Sequence, residues 1–409
     1  MKKKIHRDIA ECRICNSNKI YLALDLGNQP TANQLTKKIT ANELKIPLKL
    51  VFCQDCKTVQ LSTTVSGSYL FSKYIWVTKT SKVAKQYSKL FYERIVKKIK
   101  KKINYVCEIA SNDGTFLKEF KKNGHEVLGV DPAKNIALEA RKNGINTISG
   151  FFGQSIAKKI LNKKTTCDLI IARNVIPHVD NVHSVVSGIK TLLSDSGNVI
   201  IEFHYLNEII KGLQYDSIYH EHIYYFSVLT ISNIFKKYNL FAYDVEKSPI
   251  SGGSLVIYFS KTKKQKSFNL KKIIKLEKKN KINTIKRIKK FSSDCKKHSI
   301  ALAKIIKNTN ENIIGYGASA RSSTLLNFCK IDNNKIKYII DKNPMKIGLF
   351  TPGSKIKIIN FNTKIVKKYS KVIILAWNFT KEIIEDFSKK KIKAKFIIPL
   401  PKKIKFHAN

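Results

Sequence analysis

Tyr219, His220, Glu221 and His222 place a phenol, two imidazoles and a carboxylate at four consecutive positions. Together these groups can accept, hold and return a proton within one small volume, which is the work of a general acid and base. They lie in the stretch Gln214 to Phe226, read Gln-Tyr-Asp-Ser-Ile-Tyr-His-Glu-His-Ile-Tyr-Tyr-Phe, with further histidines at His178 and His204. A lone histidine would most simply be a satisfied core residue. Four such groups side by side ask for more than packing. If the stretch is helical, Tyr219 and His222 are three apart and share a face.

A substrate must be presented to those groups, and the sequence on either side supplies candidate scaffolds. Tyr105 to Ala110 reads as a buried strand, Ser111-Asn112-Asp113-Gly114 as a tight turn, and the residues through Lys122 as a helix. A second strand, Glu126 to Val130, ends in Asp131-Pro132, so an acid stands where an adenosine ribose is held by its hydroxyls. Further strands at Cys167 to Ala172 and Asn198 to Phe203 predict a doubly wound α/β sheet. The turn has Ala110, Asn112 and Gly114 where a dinucleotide fingerprint would have three glycines. A pyrophosphate needs that close backbone approach; S-adenosylmethionine has no phosphate and does not, so the departure favours a methyl donor. Glu108, Ala110, Asn112, Gly114, Asp131 and Pro132 are the candidate cofactor residues. Strands at Leu240 to Glu246 and Ser254 to Ser260, joined through Ser251-Gly252-Gly253, predict a closing edge hairpin. Ala172 to Val179 and Glu202 to Tyr205 belong at the carboxyl ends of the strands, where open α/β sheets bind ligands. His183 reads as a surface residue of the next helix.

Nearer the N-terminus, Cys12 and Cys15 form one Cys-x-x-Cys pair, and Cys53 and Cys56 another. Two such knuckles can close a tetrahedral thiolate site, and four sulfur ligands leave no open position, so the Zn2+ they predict is structural. Redox pairing fits less well, because neither pair opens a thioredoxin-like helix. Leu70 to Trp76 is an aromatic segment before a polar helix from about Ser81 to Lys101; it reads as interdomain packing, with Tyr74 able to face a cleft.

In the last third, Lys261 to Lys307 predicts one or two linking helices. Asn312 to Gly315, the small-residue turn Tyr316 to Ser323 and a strand from Lys337 to Ile340 ending in Asp341 repeat the strand, turn, helix, strand, acid arrangement. Arg321 and Ser322 at that helix start suit a phosphate, and a degenerate domain kept for packing suits the pattern as well. Ala376 to Phe379 follows another strand, Lys371 to Leu375, and would line the same interface. The expected division is 1–75, 76–262 and 263–409.

The chain of 409 residues carries 77 basic and 29 acidic side chains, a net charge of +48. Such a surface would concentrate polyanions. Only seven of the basic residues are arginines, however, and the lysines are scattered along the whole chain, whereas specific nucleic-acid sites lean on arginine forks. No nucleic acid is expected as a partner, although the charge favours a phosphorylated substrate. Lys2, Lys3 and Lys4 have no apolar stretch behind them, and no run approaches the roughly 18 apolar residues of a membrane span. A cytoplasmic protein without a membrane partner is the expectation.

Glu108-Ile109-Ala110-Ser111-Asn112-Asp113-Gly114, Ala172 to Val179, Tyr219-His220-Glu221-His222 and Ser251-Gly252-Gly253-Ser254, in this order, resemble the three-domain sugar C-methyltransferases. These include the ketosugar C3-methyltransferase of tetronitrose biosynthesis. The two cysteine pairs match that family's zinc domain, and the likeness runs over nearly the whole chain. The resemblance implies a zinc-binding domain, a class I methyltransferase domain and a vestigial Rossmann-like domain that helps hold a nucleotide sugar; it slightly favours a monomer. It implies C-methylation of a 4-keto sugar, dTDP-linked in that family. The ketone acidifies the C3–H, a base removes that proton, and the carbon takes the methyl group. His222 is the first candidate for the base and Tyr219 the second; Glu221 would orient an imidazole, His178 would polarise the ketone, and Tyr74 is carried over by its aromatic character. His204, Arg321 and Ser322 would face the substrate. O- or N-methylation of a sugar would leave the Tyr-His-Glu-His group underused. A zinc-stabilised nucleic-acid-binding protein would account for the charge but not for the histidines, and a scaffold that binds both ligands without turnover is the third alternative.

Overall fold

Short runs of isoleucine, valine and leucine between turn residues become the strands of three main sheets. The computed structural model describes residues 5–40, 42–71, 77–80, 82–163, 165–249 and 252–409; Tyr74 and Ser251 lie outside them. The first sheet is antiparallel, with Ile20–Gln29, Ile46–Cys53 and Val59–Leu61 in sequence order. Its fourth strand, Tyr224–Tyr225, comes from far along the chain and pairs antiparallel with Val59–Leu61.

The second sheet has seven strands, in the order Phe241–Ser248, Ser254–Ser260, Leu193–His204, Cys167–Arg173, Tyr105–Ile109, Glu126–Asp131 and Thr147–Ser149. Ser254–Ser260 runs antiparallel to both neighbours and the other pairings are parallel. This is the predicted doubly wound sheet with its closing hairpin. Every residue of Tyr105–Ile109 is buried, as expected of a central strand covered on both faces. One face packs on Tyr87, Phe91 and Ile95 of the helix Lys82–Ile99 and on Phe116 and Phe120 of the helix Thr115–Lys122. The opposite face shares one continuous apolar core with the first sheet and with part of the last domain.

The third sheet orders Lys357–Ile359, Ile336–Ile340, Ile313–Tyr316, Lys371–Ile374 and Lys395–Ile398 in parallel, with Lys405–Ala408 antiparallel at one edge. The lysine-rich linker forms two helices, Phe268–Lys279 and Ile285–Lys307. Their starts are fixed by Ser267, which accepts from the Leu270 amide, and Thr284, which accepts from the Arg287 amide.

Two expectations are corrected. The Gln214 to Phe226 stretch is not a helix: a 3-10 turn at Tyr215–Ser217 leads into a tight turn in which the His222 amide donates to the Tyr219 carbonyl, 2.9 Å, and then into the Tyr224–Tyr225 strand. Partners outside the stretch take the hydrogen bonds a helix would have kept inside: the Ile223 amide donates to Pro177 O and the Ile223 carbonyl accepts from the Leu61 amide, both 2.8 Å. His183 is not a surface residue. It bridges Tyr238 OH and Ile14 O, at 2.9 and 3.0 Å, and joins the helix layer of the seven-stranded sheet to the first cysteine knuckle.

Gly317 turns between the third sheet's first strand and helix with φ +98°, and a Cβ there would lie 2.4 Å from Ala376 Cβ. Gly348 has φ +82° with nothing within 4 Å. G317A is therefore expected to lower the stability of the last domain by about 2–4 kcal/mol and G348A by roughly 1 kcal/mol. The comparison is read from urea-unfolding midpoints; equal shifts would remove the packing part of this account.

Candidate active site

The tight turn brings Tyr219 and His222 together, as a helix would have done. Tyr219 OH lies 2.8 Å from His222 Nε2, with the rings 4.2 Å apart. His222 Nδ1 is 3.1 Å from Ser217 O. A carbonyl can only accept, so Nδ1 carries the hydrogen and Nε2 is the acceptor for the phenol. His178 stands edge-on to His222, ring centroids 4.6 Å apart, and its Nδ1 has no hydrogen-bond partner among the described residues. Tyr219, His222 and His178 keep part of their surface accessible, while His220 and Glu221 on the same turn are buried. Burial pushes His178 down to about 4, and burial with the surrounding His178, His204 and Arg321 pushes His222 well below the ordinary imidazole range. Both are neutral at pH 7. Burial also raises the Tyr219 phenol.

Glu221 has a different partner from the one expected. Its Oε1 accepts from Asn33 Nδ2 at 2.5 Å, and burial raises its carboxyl to about 7; the carbonyl of Ser217, not this carboxylate, orients His222. His220 Nε2 donates to Ile46 O at 3.2 Å and ties the turn to the first sheet. Neither Asn33 nor Ser217 carried a sequence signal, since one acts across 188 positions and the other through its backbone.

From the other side, the last domain reaches the same segment. Arg321 NH2 is 3.4 Å from His204 Nδ1, and His204 Nε2 is 2.8 Å from Gln214 Oε1. Arg321 lies over the Trp377 ring, 5.3 Å from its centroid, and Trp377 Nε1 donates to Asp216 Oδ2 at 2.7 Å. Thr324 donates to Ile218 O, 2.8 Å. Ser322 is placed differently from its predicted role: it is buried, and its hydroxyl donates to Ser319 O at 2.6 Å, so that hydrogen is spent on the helix start. The acid of this second unit, Asp341, accepts from the Ala318 amide at 2.9 Å and lies 3.4 Å from Lys346 Nζ, which also donates to Ala318 O. An ammonium group seated on the acid and the turn leaves little of a ribose pocket there, in keeping with a vestigial nucleotide unit.

At the first turn, Asp131 accepts from the Asn112 amide with Oδ2 and from the Ala133 amide with Oδ1, both 2.9 Å. Pro132 lies between, removing one competing N–H. Ala110, Asn112 and Gly114 have φ of 55°, 51° and 77°, and a Cβ on Gly114 would meet Ile145 at 2.7 Å. Thr78 and Lys79 lie across this turn, their amides donating to Asn112 Oδ1 and Asp113 Oδ2, each 2.9 Å. Glu108 is the test of fit for a methyl donor. Its Oε1 is 3.7 Å from Arg173 NH1, while Oε2 is buried with no hydrogen-bond partner among the described residues. Arg173 is shared with Glu202 at 2.9 Å, so two buried carboxylates meet one guanidinium. Burial raises Glu108 to about 8. Glu108 is therefore largely protonated at pH 7 while no further cation faces it, and a buried carboxyl that ionises opposite a cation suits the ammonium of S-adenosylmethionine.

Cys12, Cys15, Cys53 and Cys56 place their sulfurs within 4.8 Å of one another, with Cys12–Cys56 at 3.5 Å and Cys15–Cys53 at 3.6 Å. Tetrahedral Zn–S bonds of about 2.3 Å imply sulfurs somewhat under 4 Å apart. Gln60 Nε2 and the Ile14 amide point hydrogens at Cys12 Sγ, 3.0 and 3.4 Å away, as thiolate ligands require. The four residues fit a structural Zn2+.

Residues 12–71 match a family model described as a zinc binding domain, residues 80–243 one described as a methyltransferase domain, and residues 249–401 one described as a C-methyltransferase C-terminal domain. The C-methyltransferase NovU of Streptomyces niveus is 27% identical over 407 residues, 97% of each chain. Among solved structures, the PH0226 protein of Pyrococcus horikoshii OT3 is 19% identical over 47% of this chain and 97% of its own, with a TM-score of 0.38. The magnesium protoporphyrin IX methyltransferase (ChlM) of Synechocystis PCC 6803 with bound SAM is 13% identical over 43% and 79%, with a TM-score of 0.33. No helix among the described residues is long and apolar enough to cross a membrane. The chain is an S-adenosylmethionine-dependent C-methyltransferase, with a zinc-binding domain, a class I methyltransferase domain and a C-terminal domain of parallel sheet.

Proposed function

We propose that the protein methylates C3 of a 4-keto nucleotide-linked deoxysugar, dTDP-linked by the family likeness, through an enolate made at the Tyr219–His222 pair. The observation that carries this reading is the hydrogen bond from a half-buried phenol to a neutral imidazole whose other nitrogen is fixed on Ser217 O. Carbon becomes a nucleophile only if a C–H proton is removed first, and O- or N-methylation would have no use for such a pair. His222 Nε2 takes the proton, either from C3 or from Tyr219 as Tyr219 takes it. The electron pair of the C3–H bond moves into the enolate, whose oxygen would take hydrogen bonds from His178 and Tyr219. S-adenosylmethionine, when bound, supplies an electrophilic methyl group to that carbon. Glu108, Asp131 and the turn between them would hold it, and Arg321 would meet the substrate from the last domain.

The test is mass spectrometry of 4-keto dTDP-sugars incubated with the protein in deuterated water, with and without the methyl donor. Deuterium at C3 without donor, and a product heavier by one methyl with it, are the expected results; neither on any sugar would overturn the reading. H222N and Y219F are each expected to slow exchange by about 10²–10⁴-fold, because the two groups act as a unit. The neutral imidazole is the active form and its folded pKa lies below 6.5, so activity is expected to persist as pH falls through 6.5 and to drop only lower. An acid limb of kcat at or above pH 6.5 would exclude His222 as its source.

Zinc enters this function only by holding the turn. The knuckle at Cys12–Cys15 carries Arg13, which contacts Thr64 and Gln60 and lies 3.9 Å from Asp180, two residues past His178. C53S is expected to lose bound zinc, measured by atomic absorption, and to lower C3 exchange at least tenfold, while S-adenosylmethionine binding stays within about threefold, since the contacts that support the turn and not the donor site are disturbed. Equal loss of both would show that the whole chain depends on the metal.

A further inference from the structure

Gln214 is the residue on the acid/base segment that the reading above leaves without a task. Its side chain is buried between two partners of fixed character. Gln214 Nε2 is 2.9 Å from Gly252 O, and a carbonyl only accepts, so the amide nitrogen faces Gly252 and the amide oxygen faces His204. Gln214 Oε1, 2.8 Å from His204 Nε2, then requires the hydrogen of His204 to sit on Nε2. His204 Nδ1 is left as an acceptor, and Arg321 NH2 donates to it at 3.4 Å. Four groups on three separate parts of the chain thus form a relay with one direction, set by a single backbone carbonyl.

The end of the relay is a cation beside the proton-transfer pair. Arg321 is partly accessible and packs over Trp377, whose Nε1 donates to Asp216, while Thr324, one turn on in the same helix, donates to Ile218 O, the residue before Tyr219. Gly252 allows the close packing: its φ is +70°, and a Cβ there would lie 2.8 Å from Trp377 Cη2 and 3.4 Å from Arg321 NH1. The groups facing His204 are Gln214 on its own domain and Arg321 on the other, with His222 within electrostatic reach. Burial and the Arg321 charge keep His204 neutral, as an acceptor must be.

We infer that Gln214 and His204 are positioning residues that fix the Arg321 guanidinium beside the Tyr219–His222 pair, where its charge stabilises the negative charge left on the substrate when its proton is removed. Arg321 thereby serves the chemical step instead of the binding of a phosphate. The inference rests on the enolate reading for the use of the charge, but the relay itself does not.

Two measurements separate the parts. Nitrogen-15 NMR of the full-length protein, assigned through H204Q, is expected to show His204 with hydrogen on Nε2 alone; in Q214E, whose carboxylate cannot donate to Gly252 O and draws a second proton onto the ring, His204 is expected to become doubly protonated at neutral pH. Unchanged His204 signals in Q214E would overturn the relay. C3 deuterium exchange on a 4-keto dTDP-sugar is expected to fall about 10²-fold in kcat in R321Q and at least tenfold in Q214E, with KM within about threefold and S-adenosylmethionine affinity unchanged. A rise in KM with kcat unchanged would overturn the catalytic use of the charge and leave Arg321 a binding residue. Should the unaltered protein exchange no sugar while the NMR result holds, the enolate reading fails and the charge-stabilising role fails with it, whereas the relay stands.

Discussion

Residues 214 to 226 are held from three directions at once, and the geometry of the candidate site depends on that grip. The first sheet takes Tyr224–Tyr225 as its edge strand, Ile46 O takes His220 and Asn33 takes Glu221. The methyltransferase unit supplies Pro177 O to the Ile223 amide. The last domain holds Asp216 through Trp377 and Ile218 through Thr324, and the linking helix reaches Tyr215, whose hydroxyl donates to His298 Nδ1 while His298 Nε2 donates to Pro399 O. A tight turn has few internal hydrogen bonds of its own, so its conformation is as exact as the partners around it. Three domains sharing an apolar core can supply partners from all sides; a loop on one domain could not.

The same enclosure decides the electrostatics. Histidines at 178, 204, 220 and 222 lie within a small region, and burial drives each below its ordinary pKa. Neutral imidazoles hold their hydrogens on one nitrogen, and here backbone carbonyls of Ser217 and Ile46, with the amide oxygen of Gln214, select which one for three of them. Burial thus turns groups that would titrate near neutrality into fixed donors and acceptors. The large excess of lysine plays no visible part in this. The arginines do: Arg13, Arg173 and Arg321 stand at the zinc knuckle, the donor-side carboxylates and the domain interface. A planar fork can serve two elements at once, which a flexible ammonium does less well.

Much of this was legible in the sequence where local chemistry sufficed. The strands around Glu108 and Asp131, the closing hairpin and the paired cysteines follow from apolar runs, turn residues and Cys-x-x-Cys spacing, and the structure has them within a residue or two of the positions read. The Tyr219–His222 contact was legible for a partly mistaken reason, since residues three apart meet across a tight turn as well as along a helix. Glu221 shows the limit. Its neighbours in sequence are imidazoles, yet its partner Asn33 arrives from a sheet whose docking no local pattern encodes. Ser322 shows another: a hydroxyl at a helix start has the backbone as a competing partner, and in this fold the backbone wins.

The two nucleotide-like units show how one arrangement is put to different ends. In each, the acid after the second strand accepts the amide of the glycine-containing turn and a second amide two residues beyond itself: Asn112 and Ala133 for Asp131, Ala318 and Asn343 for Asp341. The acid is therefore first a structural clasp, and ligand binding uses only what the clasp leaves over. Near Asp131, Glu108 and Glu202 share one arginine, and Glu108, whose carboxyl burial raises to about 8, gains charge only opposite a further cation. Near Asp341, Lys346 has already answered the charge. A cationic methyl donor is thus directed to the first unit without any difference in backbone plan. The second unit, relieved of a ligand, is free to spend its helix start on Arg321 and its loop on Trp377, both turned toward the neighbouring domain.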